Sequence, residues 1–317
     1  MIIEICVDCQ DSVAACAEGG ADRIELCAGL VEGGTTPSAG FLAAARRTFS
    51  GRIMMMIRPR GGDFVYTAAE AEIMRDDIRC ARDGGADGVV FGCLTPAGDI
   101  DERLTASLQE AARGMDVTFH RAFDVSRDLS ASLETLVALG VPRVLTSGGC
   151  PSVPNGLGAL AVLVRQAAGR LTVLAGGGIK PDRVADIAAA TGVTECHLSA
   201  RETVSSPMIH RRPDIPMGAT SVPGEYERKI ASARRVRMAK RAGNSRWPRE
   251  DFRRSSDSTA WGPINGRRRL AVDPTATTPD GGRAKQATPQ PGSVLRETVV
   301  RSSLPPPRSR LNSAPWG

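Results

Sequence analysis

The stretch EGGADRIEL, residues 18–26, holds the end of a predicted helix, a glycine turn and the start of a β-strand. The same order returns in RDGGADGVVF at 82–91 and in ALGVPRVL at 138–145. Glycine after the last helical turn allows the left-handed backbone conformation that ends many helices, and a strand follows within a few residues. We therefore expect a chain that repeats one helix–strand unit.

Around these turns, short β-rich runs alternate with longer segments rich in Ala, Leu and Arg. The predicted strands occupy residues 2–6, 23–27, 52–58, 88–91, 116–121, 143–147, 171–175 and 195–199. The predicted helices occupy residues 11–18, 39–48, 68–82, 101–113, 129–139, 157–167 and 183–190, with a last helix at 225–241 after a long loop. Strict alternation predicts an α/β fold of parallel strands with crossover helices. Eight units favour a closed (β/α)8 TIM-type barrel, with an open doubly wound sheet as the alternative.

The composition changes abruptly near Asn244. All three Trp and ten of the 21 Pro come after this point, whereas all eight Cys and all three His come before it. The later segment is rich in Arg, Pro and Ser and has no sustained hydrophobic period, so it cannot bury enough apolar surface to fold. We expect a barrel domain at 1–243 and a disordered tail at 244–317.

The tail also carries the basic charge. Residues 244–317 contain 13 Lys and Arg against 6 Asp and Glu, a net charge of +7, which leaves 28 against 29, or −1, for the domain. Nucleic acid is therefore not an expected partner of the barrel, although the basic tail leaves that contact open.

The first residues, MIIEICVDC, have neither a basic segment nor the apolar stretch of a signal peptide. No window approaches the roughly 18 apolar residues of a membrane span. These features predict a cytoplasmic protein without a membrane partner, whose cysteines are reduced.

Polar side chains fall on one face of at least five predicted strands. In a barrel strand alternate residues point inward, and the functional site lies at the carboxyl ends of the strands. Each such residue alone is more often structural, but burying several charges together is costly unless they are paired or used. The residues that share this parity are Glu4 with Cys6, Glu25 with Cys27, Met54 and Met56 with Arg58, Thr118 with His120, and His197 with Ser199.

The loops after these strands are suited to an anion. IRPRGGDF at 57–64 supplies Arg58 and Arg60, and FHRAFD at 119–124 supplies His120, Arg121 and Asp124. TSGG at 146–149 contains Ser147, and AGGGI at 175–179 contains Gly176 and Gly177, where backbone N–H groups can approach a phosphate or carboxylate closely.

Several chemistries are disfavoured. Only four lysines occur and none lies in a predicted strand, so a Schiff-base mechanism has Lys180 as its sole candidate. HExxH, Walker and GxSxG motifs are absent, and the glycine triplet lacks the context of a dinucleotide fingerprint, so no nucleotide cofactor is indicated. Cys6 and Cys9 form a CxxC, which fits either soft-metal or redox chemistry or a strand cysteine beside an unrelated loop cysteine.

Taken together, IELCAGLVEGGTTPSAG at 24–40, IRPRGGDF, DGVVFG at 87–92, FHRAFD, LTSGG and HLSA at 197–200 resemble the CutC family of copper homeostasis proteins. The resemblance runs from residue 1 to about 243, and it implies a TIM-type barrel and cytosolic copper handling; Cu(I) binding has been attributed to some members. Cys9 departs from the family, which more often has Ser there, and the tail has no family counterpart. The shared strand-end positions are Glu4, Cys6, Glu25, Cys27, Arg58, Arg60, Asp63, His120, Arg121, Asp124, Ser147 and His197.

Two functions follow. The first is copper binding or trafficking, with Cu(I) held by Cys6, Cys27 and either His197 or His120, because thiolate and imidazole suit Cu(I).

The second is an enzyme, a lyase or isomerase, acting on a small anionic metabolite, phosphorylated or not. A Cu(I) site has no use for three guanidinium groups, so the arginines favour this reading. A homo-oligomer and a vestigial site both remain open. The anion would contact Arg58, Arg60, Arg121, Ser147, Gly176, Gly177 and Ser199, and the proton-transfer groups would be Glu4, Glu25, His120 and Asp124.

Overall fold

Eight parallel strands close into a barrel in the computed structural model, which describes residues 1–215 and 224–245. Each strand pairs with the next along the chain, and the eighth pairs with the first. The predicted (β/α)8 fold is confirmed. The strands are β1 (Ile2–Val7), β2 (Arg23–Leu26), β3 (Arg52–Met56), β4 (Gly88–Phe91), β5 (Asp116–Phe119), β6 (Arg143–Thr146), β7 (Thr172–Gly176) and β8 (Glu195–Leu198).

Four of the crossover helices begin at a side chain that accepts a hydrogen bond from the first helical turn. Thr67 and Glu70 form a reciprocal capping box on the helix that starts at Ala68, and Asp101 and Asp128 cap the helices that start at Glu102 and Leu129. The helices are α1 (Gln10–Gly19), α2 (Ala39–Thr48), α3 (Ala68–Asp83), α4 (Glu102–Ala111), α5 (Leu129–Ala138), α6 (Leu157–Ala167), α7 (Val184–Thr191) and α8 (Ala233–Asn244).

The three glycine turns adopt the conformation that the sequence predicted. Gly20, Gly85 and Gly140 have φ values of 75°, 79° and 70°, in the left-handed region. Each ends a helix and leads into the next strand within a few residues, so one local device sets the register of three units.

The C-terminal part of the barrel differs from the prediction of one helix at 225–241. Glu227–Ala231 forms a strand, β10, that pairs antiparallel with β9 (Arg201–Ser205), and only then does α8 begin. The segment forms a strand because it pairs with β9, and a local sequence pattern does not show that pairing. From residue 246 onward, the predicted tail lies outside the described residues, and among the described helices none has the length and apolarity needed to cross a membrane.

The two faces of the strands have different surroundings. Ile3, Ile5 and Leu26 pack into the main core with the helices, whereas Cys27, Met54, Met56 and Val90 form a separate cluster inside the barrel. The alternation predicted from the sequence therefore holds, and the interior holds both sulfur atoms and charges.

Candidate functional site

A buried ion network fills the barrel at the amino ends of its strands. Arg23 contacts the carboxylates of Glu4 and Glu195, and Arg143 contacts Glu195 at 2.9 Å and Asp116 at 3.0 Å. Both arginines are less than a tenth exposed. This network was not predicted from the sequence, although the alternation of side chains along a strand would have revealed it. Arg23 lies on the same strand face as Glu25, and Glu195 lies on the same strand face as His197.

Above the network, His197 lies between two carboxylates. Its Nδ1 is 2.7 Å from Glu4 Oε1, and its Nε2 is 3.9 Å from Glu25 Oε2. The register of the sheet produces this contact, since Glu4 is the β1 partner of His197 on β8. The ligand atoms of these three residues all lie within 4.8 Å of one another.

The three groups titrate differently because their partners differ. Burial raises the pKa of Glu4, but Arg23 and His197 outweigh it and lower that pKa to about 2. Burial also raises the pKa of Glu25, and the attraction of His197 does not overcome it. Burial lowers the pKa of His197, yet Glu25, Cys6 and Glu4 together raise it well above its usual value. Glu4 is thus a fixed anion, whereas Glu25 holds a proton to higher pH than an ordinary carboxyl.

A cavity of about 500 Å³ opens at the carboxyl ends of the strands. Another cavity, beside Met1 and Thr194 at the opposite end, is lined mainly by small uncharged side chains and offers little chemistry. The mouth cavity includes nine of the site residues predicted from the sequence, and also Phe64 and Arg201, which were not predicted. The nine are Cys6, Glu25, Arg58, His120, Arg121, Asp124, Gly177, His197 and Ser199.

Arg58 and Arg60 are held by the protein itself. Arg58 Nη1 donates to the carbonyls of Glu32 and Gly34, both at 2.9 Å, and Nη2 donates to Gly62 at 2.8 Å. Arg60 pairs with Glu70 and does not line the cavity. Arg60 therefore contributes nothing to the cavity wall, whereas Arg58 lines it with both Nη groups held and with its Nε lacking a hydrogen-bond partner among the described residues.

Asp124 organises the neighbouring loops. Its carboxylate accepts hydrogen bonds from Arg121 Nε at 2.7 Å and from the backbone N–H groups of Ser147 and Gly149 at 3.0 Å. Arg121 also donates to Ser147 Oγ at 2.8 Å, yet its side chain is 41% exposed. These contacts make Asp124 a positioning group for Arg121, and they bury Ser147 out of the cavity.

Gly177 gives the Arg121 guanidinium its room. A Cβ at this position would lie 3.2 Å from the guanidinium carbon, and φ is +115°. Gly176, by contrast, is a β7 residue beside His197, where a Cβ would meet Leu145 at 2.4 Å. Gly177 thus lines the cavity, while Gly176 serves packing inside the barrel.

The CutC family model matches residues 1–202. This chain belongs to the CutC family. It is 48% identical over 236 residues to "Copper homeostasis protein cutC homolog" from Homo sapiens, covering 74% of this chain and 86% of that protein. A CutC family protein from Bacteroides fragilis is 47% identical over 237 residues, covering 74% and 94%.

A solved CutC structure agrees with the barrel. The copper homeostasis protein CutC from Streptococcus agalactiae aligns with a TM-score of 0.60 and 33% identity, covering 63% of this chain and 98% of that one. The fold expected from the CutC resemblance is thereby confirmed.

The cysteines of this CutC chain have unlike surroundings. Cys6 lines the cavity, whereas Cys27 is fully buried and its thiol donates to Glu25 Oε2 at 3.3 Å. Burial and the nearby Glu25 raise the pKa of the Cys27 thiol well above its usual value. Cys9 Sγ lies 3.1 Å from Ser12 Oγ at the start of α1. The two cysteines of the CxxC therefore lie in different surroundings, one in the barrel interior and one at the start of a helix. Both of its cysteines are free thiols.

Proposed function

We propose that this member of a family whose relatives are named for copper homeostasis moves a proton on a small anionic metabolite at the barrel mouth. The observation that carries this proposal is the position of the Glu25 carboxyl group. Its Oε1 is buried without a hydrogen-bond partner among the described residues, and the residue lines a cavity that also contains Arg121. A carboxyl of raised pKa facing a positively charged cavity is a recurring arrangement for acid–base catalysis.

Arg121 supplies the attraction for the anion. Asp124 fixes its Nε side, which leaves the exposed part of the guanidinium toward the cavity. Arg201 also lines the mouth and adds positive charge. A carboxylate or phosphate group of a ligand fits between such donors, and guanidinium binds both anions well.

Glu25 supplies the proton transfer. His197 lies below it and is held by Glu4, which Arg23 in turn keeps ionised. This chain of contacts keeps a positive imidazolium near Glu25, so the carboxyl can release its proton without leaving an isolated buried anion. A lyase or isomerase step on a small metabolite needs a group of this kind.

Anion binding is tested by replacing Arg121 with Met. Inorganic phosphate, pyruvate and dihydroxyacetone phosphate are titrated against wild type by calorimetry, and at least one is expected to bind. Arg121→Met is expected to weaken that binding by about tenfold or more, because a charge-assisted hydrogen bond is lost. Arg127→Met is the matched control, since Arg127 is 66% exposed and pairs with Asp99 outside the cavity. Equal affinities in all three proteins would contradict the proposal.

Copper as cargo is the second candidate, and the sulfur content of the interior favours it. Cys27 packs with Met54 and Met56, and Cys6 and Met56 both line the cavity. Thiolate and thioether sulfur suit Cu(I), whereas the Glu4, Glu25 and His197 group offers mostly hard oxygen and already binds Arg23. Reduced cysteines of this kind support a cytoplasmic location.

Cu(I) has to displace the Cys27 proton, so binding by this group releases protons and weakens at low pH. The double substitution Cys6→Ser with Cys27→Ser is expected to abolish stoichiometric binding in a competition titration with a chromophoric Cu(I) chelator. Cys80→Ser, at an exposed cysteine, is expected to leave the affinity unchanged. Wild-type affinity in the double variant would rule out this candidate.

A further inference from the structure

His120 follows β5 and lines the mouth cavity, with only 4% of the residue exposed. Its Nδ1 lies 3.2 Å from the backbone nitrogen of Ala122. A backbone N–H can only donate, so Nδ1 is the acceptor in this contact. The ring proton of a neutral His120 therefore resides on Nε2.

The surroundings keep the ring neutral. Burial and the positive charge of Arg58 lower the pKa of His120 to about 3. Arg58 cannot swing away, since three backbone carbonyls hold its guanidinium. Phe64 contacts both groups: its ring centroid lies 5.0 Å from that of His120 and 5.1 Å from Arg58 Cζ.

The Nε2–H group lacks a partner. Among the described residues it is one of five buried side-chain polar atoms without a hydrogen bond, and Glu25 Oε1 is another. Both residues line the same cavity. Gly92 provides the space for the ring, because a Cβ at residue 92 would lie 2.4 Å from His120 Nδ1. A buried donor without an acceptor is costly, so its position in a cavity wall suits a ligand that brings an oxygen atom to it.

We infer that His120 Nε2–H donates a hydrogen bond to the carbonyl oxygen of the ligand, so that the ligand is a small anion bearing a ketone or aldehyde group. This inference rests on the function proposed above and narrows its substrate class. A neutral donor stabilises negative charge on oxygen without transferring its own proton, because an imidazole N–H is a very weak acid.

A carbonyl oxygen bound by His120 in the cavity that Glu25 lines would permit enolisation of the ligand. A C–H bond next to the carbonyl breaks, its proton moves to the Glu25 carboxylate, and its electron pair forms a C=C bond. The former carbonyl oxygen takes the negative charge and accepts from His120. The step ends when Glu25 returns the proton to the carbon that lost it. Where that carbon bears a hydroxyl group, the proton can instead go to the former carbonyl carbon while the hydroxyl proton moves to the former carbonyl oxygen, so no oxidant or other reactant is needed.

Two ligands that differ only in the ketone test the inference. Pyruvate and propionate share a three-carbon carboxylate, but only pyruvate has the carbonyl oxygen. Wild type is expected to bind pyruvate about tenfold more tightly than propionate, the difference made by one good hydrogen bond. His120→Asn, which can still cap Ala122 but cannot reach the Nε2 position, is expected to erase that difference. His120→Gln, whose amide nitrogen reaches it, is expected to restore part of the preference.

The ring itself provides a readout that needs no ligand. ¹⁵N spectra of the free protein at pH 7 are expected to show a neutral His120 with its proton on Nε2. A protonated ring, or a proton on Nδ1, overturns the inference whether or not any ligand binds.

The two proposals fail differently. If phosphate, pyruvate and dihydroxyacetone phosphate all fail to bind wild type, the anion function fails and the carbonyl inference is overturned with it. If both acids bind wild type equally and Arg121→Met weakens both, the anion function stands and the carbonyl inference is overturned.

Discussion

Replacing Arg23 with Met is expected to lower the free energy of unfolding by about 3–5 kcal/mol, the usual cost of removing one partner from a buried ion pair. Arg23 lies between Glu4 and Glu195 inside the barrel. In the variant Glu195 remains paired with Arg143, but Glu4 remains paired only with His197. A nearly unexposed carboxylate would then lack its principal counter-ion.

Equilibrium urea unfolding measures this effect, with Arg170→Met as the matched control. Arg170 pairs with Glu134 on the outer surface, where both side chains are more than two-fifths exposed. Exposed pairs contribute little, so that variant should unfold close to wild type. Similar losses in the two variants would mean that the interior network does not stabilise the barrel.

Replacing Glu25 with Gln is expected to slow proton transfer by about 10²- to 10⁴-fold, the range for loss of a general acid or base. Gln has nearly the same shape but carries no exchangeable carboxyl proton. Wild type in D₂O is expected to exchange the carbon-bound hydrogens next to the carbonyl of pyruvate or dihydroxyacetone phosphate. Proton NMR follows the loss of their signals.

Ligand affinity should change much less than the rate, because Arg121 remains in place. Glu110→Gln on α4, an exposed position far from the mouth, provides the control with the same change of charge. Exchange that continues at the wild-type rate in the Glu25 variant would remove Glu25 from the mechanism. Absence of exchange in wild type would remove the proton-transfer proposal itself.

The barrel could be predicted from the sequence because its signals are local. Glycine turns such as Gly20 and Gly140 and short β-rich runs fix each unit within about 30 residues of chain, the usual size of such a unit. Parity then placed Glu25 and His197 inside the barrel. The hairpin of β9 and β10 was missed because its pairing joins segments that no local period connects.

The roles of individual site residues were less accessible, because they depend on partners brought together by folding. The sequence predicts Arg58 as an anion ligand but does not show that the carbonyls of Glu32 and Gly34 hold its Nη1. It predicts Asp124 as an acid or base but does not show the contacts of its carboxylate with Ser147 and Gly149. The unpartnered Nε2 of His120 depends on a backbone contact and on space left by Gly92, neither of which a motif reveals.

The ion network at the amino ends of the strands has a consequence for traffic. Arg23 and Arg143, with their carboxylate partners, occupy the barrel interior beneath His197. The cavity at the mouth is therefore closed at its base. Whatever enters past Arg121 and Arg201 has to depart by the same rim. A bound product molecule therefore excludes the next substrate molecule until it dissociates, and product at high concentration should act as a competitive inhibitor.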